Sequence, residues 1–567
     1  MKDHMNLKEQ AIHELHKVTY LPKPEIEKLL EVPPNPKMGD LSFPCFILAK
    51  QFKKAPGQIA REFREKLVVP KGFKKVEIAG PYLNFYYNSA DFAEQVLKEA
   101  KKKDFGRLNQ KHTFMLDVYQ ANPYKSFHIG HVRNAVLGES IRRILEFAGN
   151  KTIAASFSGD IGIHVARWLV YYQTKYSGKV PKDNFTKWVG EIYSTASQLG
   201  KTDKNFEEES HELNRALHNN EPKITKLWDK FRKMCYHDYE KIAKELGCKI
   251  DIWIPESDCI EPGIKKVNNL IKSKKLIKSE GAWGLDLKKY DLGFFLLLKS
   301  DGTSLYSTKD FGNLYIKNAF NNKYDKSLYV VASEQEFYFN QLFKAYDVLN
   351  MSPGVEHIHL NYGYVNLKSG KMSSRLGNVI LYEDLRDNMS KIALSEVSKR
   401  QKSLSKSKLN SIANAIAFGA IKYDLLKYSV RTPIGFDMND ALSFEGNTGP
   451  YLQYALVRAS KIMKKSRQSI TTSVDFSLLN SKEEQNLVKH IENFPEIIEQ
   501  AVAQFSPQII ANYAYELAQK FSTFYAKHRV VGATIKEEKA RLLLVHTFYE
   551  TLKKALTLLG MDEVEVM

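Results

Sequence analysis

Cysteine is nearly absent from this 567-residue chain, which carries four: Cys45, Cys235, Cys248 and Cys259. So few, so widely spaced, exclude a disulfide framework and a paired Cys-x-x-Cys zinc site, and they read as ordinary thiols of a reducing compartment. Long apolar runs are missing as well. The most apolar stretch, Leu292 to Leu298, is far shorter than the roughly 20 residues that span a bilayer. Met1-Lys2-Asp3-His4 opens the chain without the apolar core of a secretory leader. These absences lead to the expectation of a cytoplasmic protein with no membrane partner and no structural metal. Acidic residues are in deficit, 65 against 84 Lys plus Arg, for a formal net charge of +19. Such an excess fits a polyanionic partner or a lysine-rich solvated surface. Hydrophobic residues at 43% and charged residues at 26% are ordinary for a globular chain and exclude wholesale disorder. At about 150 residues per domain the length implies several domains.

The patterning changes along the chain. Lys53 to Leu67 has helical spacing, and Lys75 to Asn88 reads as strand, Gly80-Pro81 turn, strand. The run holding Lys101, Lys102 and Lys103 marks a boundary. Thr113 to Tyr119 suits a buried strand, His131 to Ala148 a helix stopped by Gly149-Asn150, and Lys151 to Phe157 a second strand. Strand, helix, strand is a βαβ unit, which builds parallel sheet. Tyr171 to Leu246 is polar and helical in spacing, like material inserted into a sheet domain. Sheet-like runs return at Phe294 to Lys299, Leu328 to Ala332 and His357 to Val365. Beyond about Lys391 only helical patterns remain, which predicts a bundle.

Two short motifs carry chemistry. His128-Ile129-Gly130-His131 lies between a strand and the first turn of a helix, where free backbone N–H groups and the helix dipole attract phosphate. Gly130 leaves room for a nucleotide to approach the backbone, and two imidazoles three residues apart can donate to a phosphoryl group as charge builds on it. Gly370-Lys371-Met372-Ser373-Ser374-Arg375 follows the run ending near Val365. Lys371 and Arg375 can neutralise β- and γ-phosphates from the opposite side.

The two motifs, one in each half of a split sheet domain, resemble those of the class I aminoacyl-tRNA synthetases. The surroundings resemble the arginyl-tRNA synthetase family nearly end to end. The resemblance runs through Gly39-Asp40-Leu41, Ala79 to Phe85, the block Ala121-Asn122 to Asn134-Ala135, and Ser158-Gly159-Asp160-Ile161-Gly162. It continues through Glu256-Ser257, Tyr306 with Asp310, Glu334-Gln335, Glu445 to Tyr454, and the ending Leu558 to Met567. It implies an α/β Rossmann-like catalytic domain at 109–392 with a parallel sheet and a mostly helical insertion at about 171–290. An α+β tRNA-contacting domain at 1–108 would precede it, and an all-α anticodon-binding bundle at 393–567 would follow.

The implied activity is arginine–tRNA ligation: ATP and L-arginine form arginyl-adenylate, and the arginyl group passes to the 3′ end of tRNA(Arg). The resemblance makes His128, His131, Lys125 and Lys371 catalytic. It puts Asn122, Glu256, Tyr306, Asp310 and Gln335 around arginine, and Gly130, Asn134, Met372, Ser373 and Arg375 on ATP. Tyr451 and Tyr454 become candidates for stacking on tRNA bases. A guanidinium is a planar, permanently charged fork of donors, so a selective pocket needs carboxylates, and Glu256 and Asp310 supply two. Ser374 stands where the family's loop usually has a second lysine, and Lys125 is the implied replacement. His164 stands where many members carry glutamine. Mg²⁺ would accompany ATP, the chain would act as a monomer, and arginine activation would wait for bound tRNA. Alternatives are a class I synthetase for another amino acid, a synthetase-like tRNA-binding protein without catalysis, or a smaller adenylyltransferase.

Overall fold

The computed structural model describes residues 7–176, 178–182, 184–321, 323–368 and 380–567. The chain divides into two compact units.

One unit holds residues 1–105, 458–494 and 517–552. Its sheet has three antiparallel strands, β1 (Leu41–Pro44), β2 (Phe73–Ala79) and β3 (Tyr82–Tyr87), in the order β1-β3-β2. β2 and β3 form the hairpin that the sequence predicts around Gly80-Pro81, with Ala79 opposite Tyr82. The expected helix starting near Lys53 begins at Pro56 instead, because proline at the first helical position sacrifices no hydrogen bond. Asn88 caps the helix Ser89–Ala100 by accepting from the backbone N–H groups of Ala90 and Asp91. Helices from later in the chain complete this unit: Lys489 pairs with Asp40, and Arg541 Nε donates to Glu484 Oε1 at 2.8 Å.

The other unit holds residues 106–457, 495–516 and 553–567. Its centre is a five-stranded sheet of β4 (Thr113–Asp117), β5 (Lys151–Ser158), β6 (Ile252–Pro255), β10 (Lys326–Ala332) and β11 (Glu356–Tyr362). Every pairing in it is parallel, and the order is β11-β10-β4-β5-β6. Met115, Leu116, Ala154, Ala155, Leu328 and Val330 are all fully buried, as expected of strands covered on both faces. The chain runs outward from β4 through β5 to β6, then returns to the far side of β4 for β10 and β11. The order reverses between β4 and β10, and in open parallel sheets ligands bind at that reversal, beyond the carboxyl ends of the strands.

The stretch expected to be mostly helical does form helices, Phe185–Thr202, Lys204–His218 and Pro222–Leu246. It then supplies β6, an edge strand of the main sheet. The apolar run at Phe294 to Lys299 is sheet, but in a separate antiparallel meander of β7 (Ile277–Ser279), β8 (Ala282–Asp286) and β9 (Phe294–Leu298). After Lys391 one short strand survives: β13 (Ile434–Phe436) pairs in parallel with β12 (Val365–Leu367).

Candidate active site

A cavity of about 820 Å³ opens at the carboxyl ends of the main-sheet strands. Asp117 at the end of β4, Gly159 after β5, Glu256 after β6, Ala332 at the end of β10 and Tyr362 at the end of β11 all line it. Each of these five strands contributes where it stops, so the sheet itself gathers residues distant in sequence.

The histidine motif forms one wall. His128 is the N-cap of the helix Ile129–Phe147, which starts two residues before the His131 expected from sequence. Its Nδ1 accepts from Gly130 N at 3.1 Å, while His131 Nδ1 accepts from His128 N at 3.2 Å. The two rings lie 3.8 Å apart, centre to centre. A nitrogen that accepts carries no proton, so in each neutral ring the hydrogen sits on Nε2. Burial, reinforced by the Lys125 charge, pushes His128 down to about 4, and burial likewise drives His131 well below the usual histidine range. Both rings are therefore neutral at pH 7 and carry one outward donor each. The His128 ring also folds over Gly130, where a Cβ would stand 2.9 Å from His128 Cε1. Glycine here makes room for the imidazole itself.

The loop between β4 and this helix is held in an unusual backbone. Tyr119 and Tyr124 have φ of 55° and 65°, a region that costs a bulky residue of order 1–3 kcal/mol. Their hydroxyls donate to Tyr239 O and Trp228 O at 2.7 and 2.6 Å, and both side chains are buried. The loop delivers Asn122 and Lys125 to the cavity. Asn122 Oδ1 accepts from Gly159 N at 2.6 Å, and Lys125 Nζ lies 5.5 Å from the centre of the Tyr193 ring.

The opposite wall is acidic. Glu256 and Asp310 are both buried, and both line the cavity with Tyr306 and Gln335. Burial raises the Glu256 carboxyl while Lys309 draws it back. Burial pushes Asp310 up to about 7, opposed by the hydrogen bond from Tyr338 and the charge of Lys317. Asp160 braces the turn that carries Glu256, accepting from Ser257 N at 2.9 Å, Ser257 Oγ at 2.7 Å and Arg232 Nη1 at 3.3 Å. Glycine at 159 leaves Glu256 its place, since a Cβ there would stand 2.8 Å from Glu256 Oε2 and push that carboxylate aside.

Of the residues proposed from sequence, the cavity thus brings together His128, Gly130, His131, Lys125, Asn122, Glu256, Tyr306, Asp310 and Gln335. Asn134 is not among its lining. It is buried, with Oδ1 accepting from Gln120 N at 2.9 Å and Nδ2 donating to Val330 O at 2.8 Å, which ties the loop after β4 to β10. Lys371, Met372, Ser373 and Arg375 lie outside the described residues. The segment directly after them is anchored to the histidine motif: Ile129 N donates to Ile380 O at 3.0 Å and Tyr382 N to Phe127 O at 2.9 Å. Tyr451 and Tyr454 are half-buried at the start of the helix Gly449–Lys465, with Tyr451 edge-on to Tyr515 at 5.7 Å. His164, the departure from glutamine, lines the cavity with its Nε2 buried and unpartnered among the described residues. Sequence reasoning missed Lys309 and Tyr338. Lys309 adjoins Asp310, but nothing in a helical lysine marks it as buried.

A parallel sheet with a histidine-capped helix at its reversal point, facing buried carboxylates, defines a nucleotide-using enzyme of the class I aminoacyl-tRNA synthetase type. Comparison with known proteins narrows the class. Residues 93–437 match the family model for tRNA synthetases class I (R), catalytic domain, residues 452–567 the DALR anticodon binding domain, and residues 5–87 the arginyl tRNA synthetase N terminal domain. The chain is 33% identical over 548 residues to the arginine–tRNA ligase of Clostridium perfringens, covering 96% of each. It is 34% identical over 574 residues to that of Bdellovibrio bacteriovorus, covering 99% of this chain and 98% of the other. The arginyl-tRNA synthetase of Thermus thermophilus shares the fold, with a TM-score of 0.80 at 23% identity over 99% of this chain and all of that one. The chain belongs to the arginyl-tRNA synthetase family.

Proposed function

We propose that the cavity activates L-arginine with ATP and passes the arginyl group to the 3′ end of tRNA(Arg). The observation that carries this reading is the pairing, in one cavity, of a neutral two-histidine helix cap with the buried carboxylates Glu256 and Asp310. The caps suit a triphosphate, and the carboxylates suit a cation.

In the first step an oxygen of the arginine carboxylate attacks the α-phosphorus of ATP. The bond from that phosphorus to the bridging oxygen breaks, and pyrophosphate leaves. The attacking carboxylate is already ionised at pH 7, so no strong protein base is needed. Catalysis then consists of alignment and charge stabilisation. His128 and His131 donate from Nε2 to the phosphoryl oxygens, and Gly130 sits at the same helix start. Lys125 supplies a cation from the loop before it. Lys371 and Arg375, with Met372 and Ser373, act on the phosphates from the segment whose described flank is bonded to Phe127 and Ile129. Mg²⁺ enters with ATP as part of that substrate. Asn134 acts at one remove, by holding the loop after β4 against β10. In the second step a ribose hydroxyl of the tRNA terminus attacks the adenylate carbonyl carbon, and AMP departs with the oxygen that joined it to the acyl group.

Glu256 and Asp310 receive the guanidinium, Tyr306 lies beside it, and Asn122 with Gln335 faces the α-amino end. A neutral side chain would leave buried acceptors unpaired, at about 1–3 kcal/mol each and more when they are charged. Tyr451 and Tyr454 remain candidates for anticodon contacts. One chain carries every residue named for this chemistry, which is consistent with a monomeric catalyst, and a tRNA-charging role is consistent with the cytoplasm. Charging of total tRNA with each of the 20 amino acids, radiolabelled in turn, tests the reading. Arginine alone should be incorporated. Incorporation of a different amino acid, or tRNA binding without charging, would refute it.

A further inference from the structure

Glu256 and Asp310 share a geometric feature that the reaction outlined above does not use. Each has one carboxylate oxygen already taken by a protein donor. Lys309 donates from Nζ to Glu256 Oε1, and Tyr338 donates from Oη to Asp310 Oδ2. Among the described residues no donor is placed on Glu256 Oε2 or Asp310 Oδ1. The Lys309 side chain is 14% exposed and Glu256 6%, so the pair is largely out of water. The Lys309 ammonium also lies 5.5 Å from the centre of the Tyr306 ring. Tyr338 is held in turn, packed against Phe295 and Phe339 at 5.9 and 5.7 Å.

We propose that Lys309 and Tyr338 are positioning residues for substrate recognition: each holds one oxygen of a pocket carboxylate, so that Glu256 and Asp310 each present one undonated oxygen and a guanidinium bridges the two. This rests on the reading that these carboxylates receive the arginine side chain. The geometry follows from donor and acceptor counting. A carboxylate with both oxygens free takes a guanidinium side-on, as a bidentate pair. A carboxylate with one oxygen already accepting keeps lone pairs there but offers its undonated oxygen more readily, so a fork that spans two such carboxylates uses the two undonated oxygens. Charge points the same way. Two bare buried carboxylates would repel each other, and one would take up a proton. With Lys309 on Glu256, the Asp310 carboxylate is left to meet a further cation.

The test uses the full chain in arginine-dependent ATP–pyrophosphate exchange with total tRNA present. Lys309→Met removes the cation at similar length, and Lys309→Arg restores it. Tyr338→Phe removes only the hydroxyl. The expected result is an arginine KM raised about 10- to 100-fold in Lys309→Met and about 5- to 20-fold in Tyr338→Phe, with kcat and the KM for ATP changed much less. Lys309→Arg should recover most of the loss. In Lys309→Met the fall of the arginine KM with rising pH should continue above the pH at which the parent levels off, as Glu256 loses the cation that keeps it ionised. The other charged groups facing Glu256 are Asp160 and Lys125, with Asp310 one residue from Lys309; all stay in place in this variant. Equal losses in kcat and in the KM for ATP, or an arginine KM unmoved in Lys309→Met, would overturn the proposal. Glu256→Gln separates the two levels. If it raises the arginine KM while Lys309→Met does not, this inference alone fails. If it too leaves the arginine KM unchanged, the reading of the pocket fails with it.

Discussion

In the proposed reaction His128 and His131 are the residues on which the chemistry turns, and their environment specifies what they can do. Each ring spends Nδ1 on a backbone N–H and keeps its proton on Nε2, and burial keeps both neutral. In that reaction they would act as fixed donors rather than as acid and base. Replacing His128 with alanine should therefore lower the exchange rate by about 10²–10³, the range found when one preorganised donor is removed. The kcat profile should stay flat between pH 6 and 8, because the His128 titration lies near 4; a histidine-like inflection near 6.5 would contradict it. Asp310 should show its titration in arginine binding instead. Burial pushes its carboxyl up to about 7, so below that pH it is mostly protonated, and a guanidinium must displace the proton. The arginine KM should fall as pH rises from 6 toward 7.5 and then level off, while Asp310→Asn should remove that dependence.

At the scale of elements, the sheet and the helix Tyr306–Phe320 are joined by a buried ion pair. Lys317 donates to Asp117 at the end of β4, and the two side chains are 0% and 1% exposed. Removing one partner from such a pair strands a charge in the interior and typically costs 3–5 kcal/mol, whereas replacing both with apolar groups is often near neutral. Lys317→Met should thus lower stability by about 3–5 kcal/mol in urea unfolding, and Asp117→Leu combined with Lys317→Met should recover much of it. A single variant as stable as the parent would show the pair to be idle. These elements also mark what could be read from sequence. The βαβ unit holding the histidine motif was legible because β4 is a short apolar run, the helix is long enough to show its period, and Gly149-Asn150 marks the turn into β5. β6 was not, since Ile252–Pro255 is four residues following a polar stretch, too short for any alternation. The run at Phe294 was legible as strand but not as part of the separate meander, because pairing partners are settled by long-range contacts that no local pattern records. Lys309 and Lys317 escaped for a related reason: a lysine on a helix reads as solvated until the carboxylate it meets, Glu256 or Asp117, is brought in from another strand.

Over the whole molecule the formal charge of +19 gains a meaning from the family to which the chain belongs. Charge alone left two readings open, and a tRNA substrate favours the polyanion. Binding of tRNA should weaken steeply with salt, the Kd rising by about a hundredfold or more between 50 and 200 mM monovalent salt. A nearly salt-independent Kd would leave the charge as surface solvation only. The long-range gathering of the site was legible where a motif or the family resemblance marked it, at Asn122, Lys125, His128 to His131, Glu256, Tyr306, Asp310 and Gln335, but not at Lys309 or Tyr338. The account as a whole is tested most directly by arginine-dependent ATP–pyrophosphate exchange, run with and without total tRNA and with lysine in place of arginine. Exchange with arginine that appears only once tRNA is added, and none with lysine, is the predicted result. No exchange with arginine under either condition, from folded protein that binds tRNA, would contradict it.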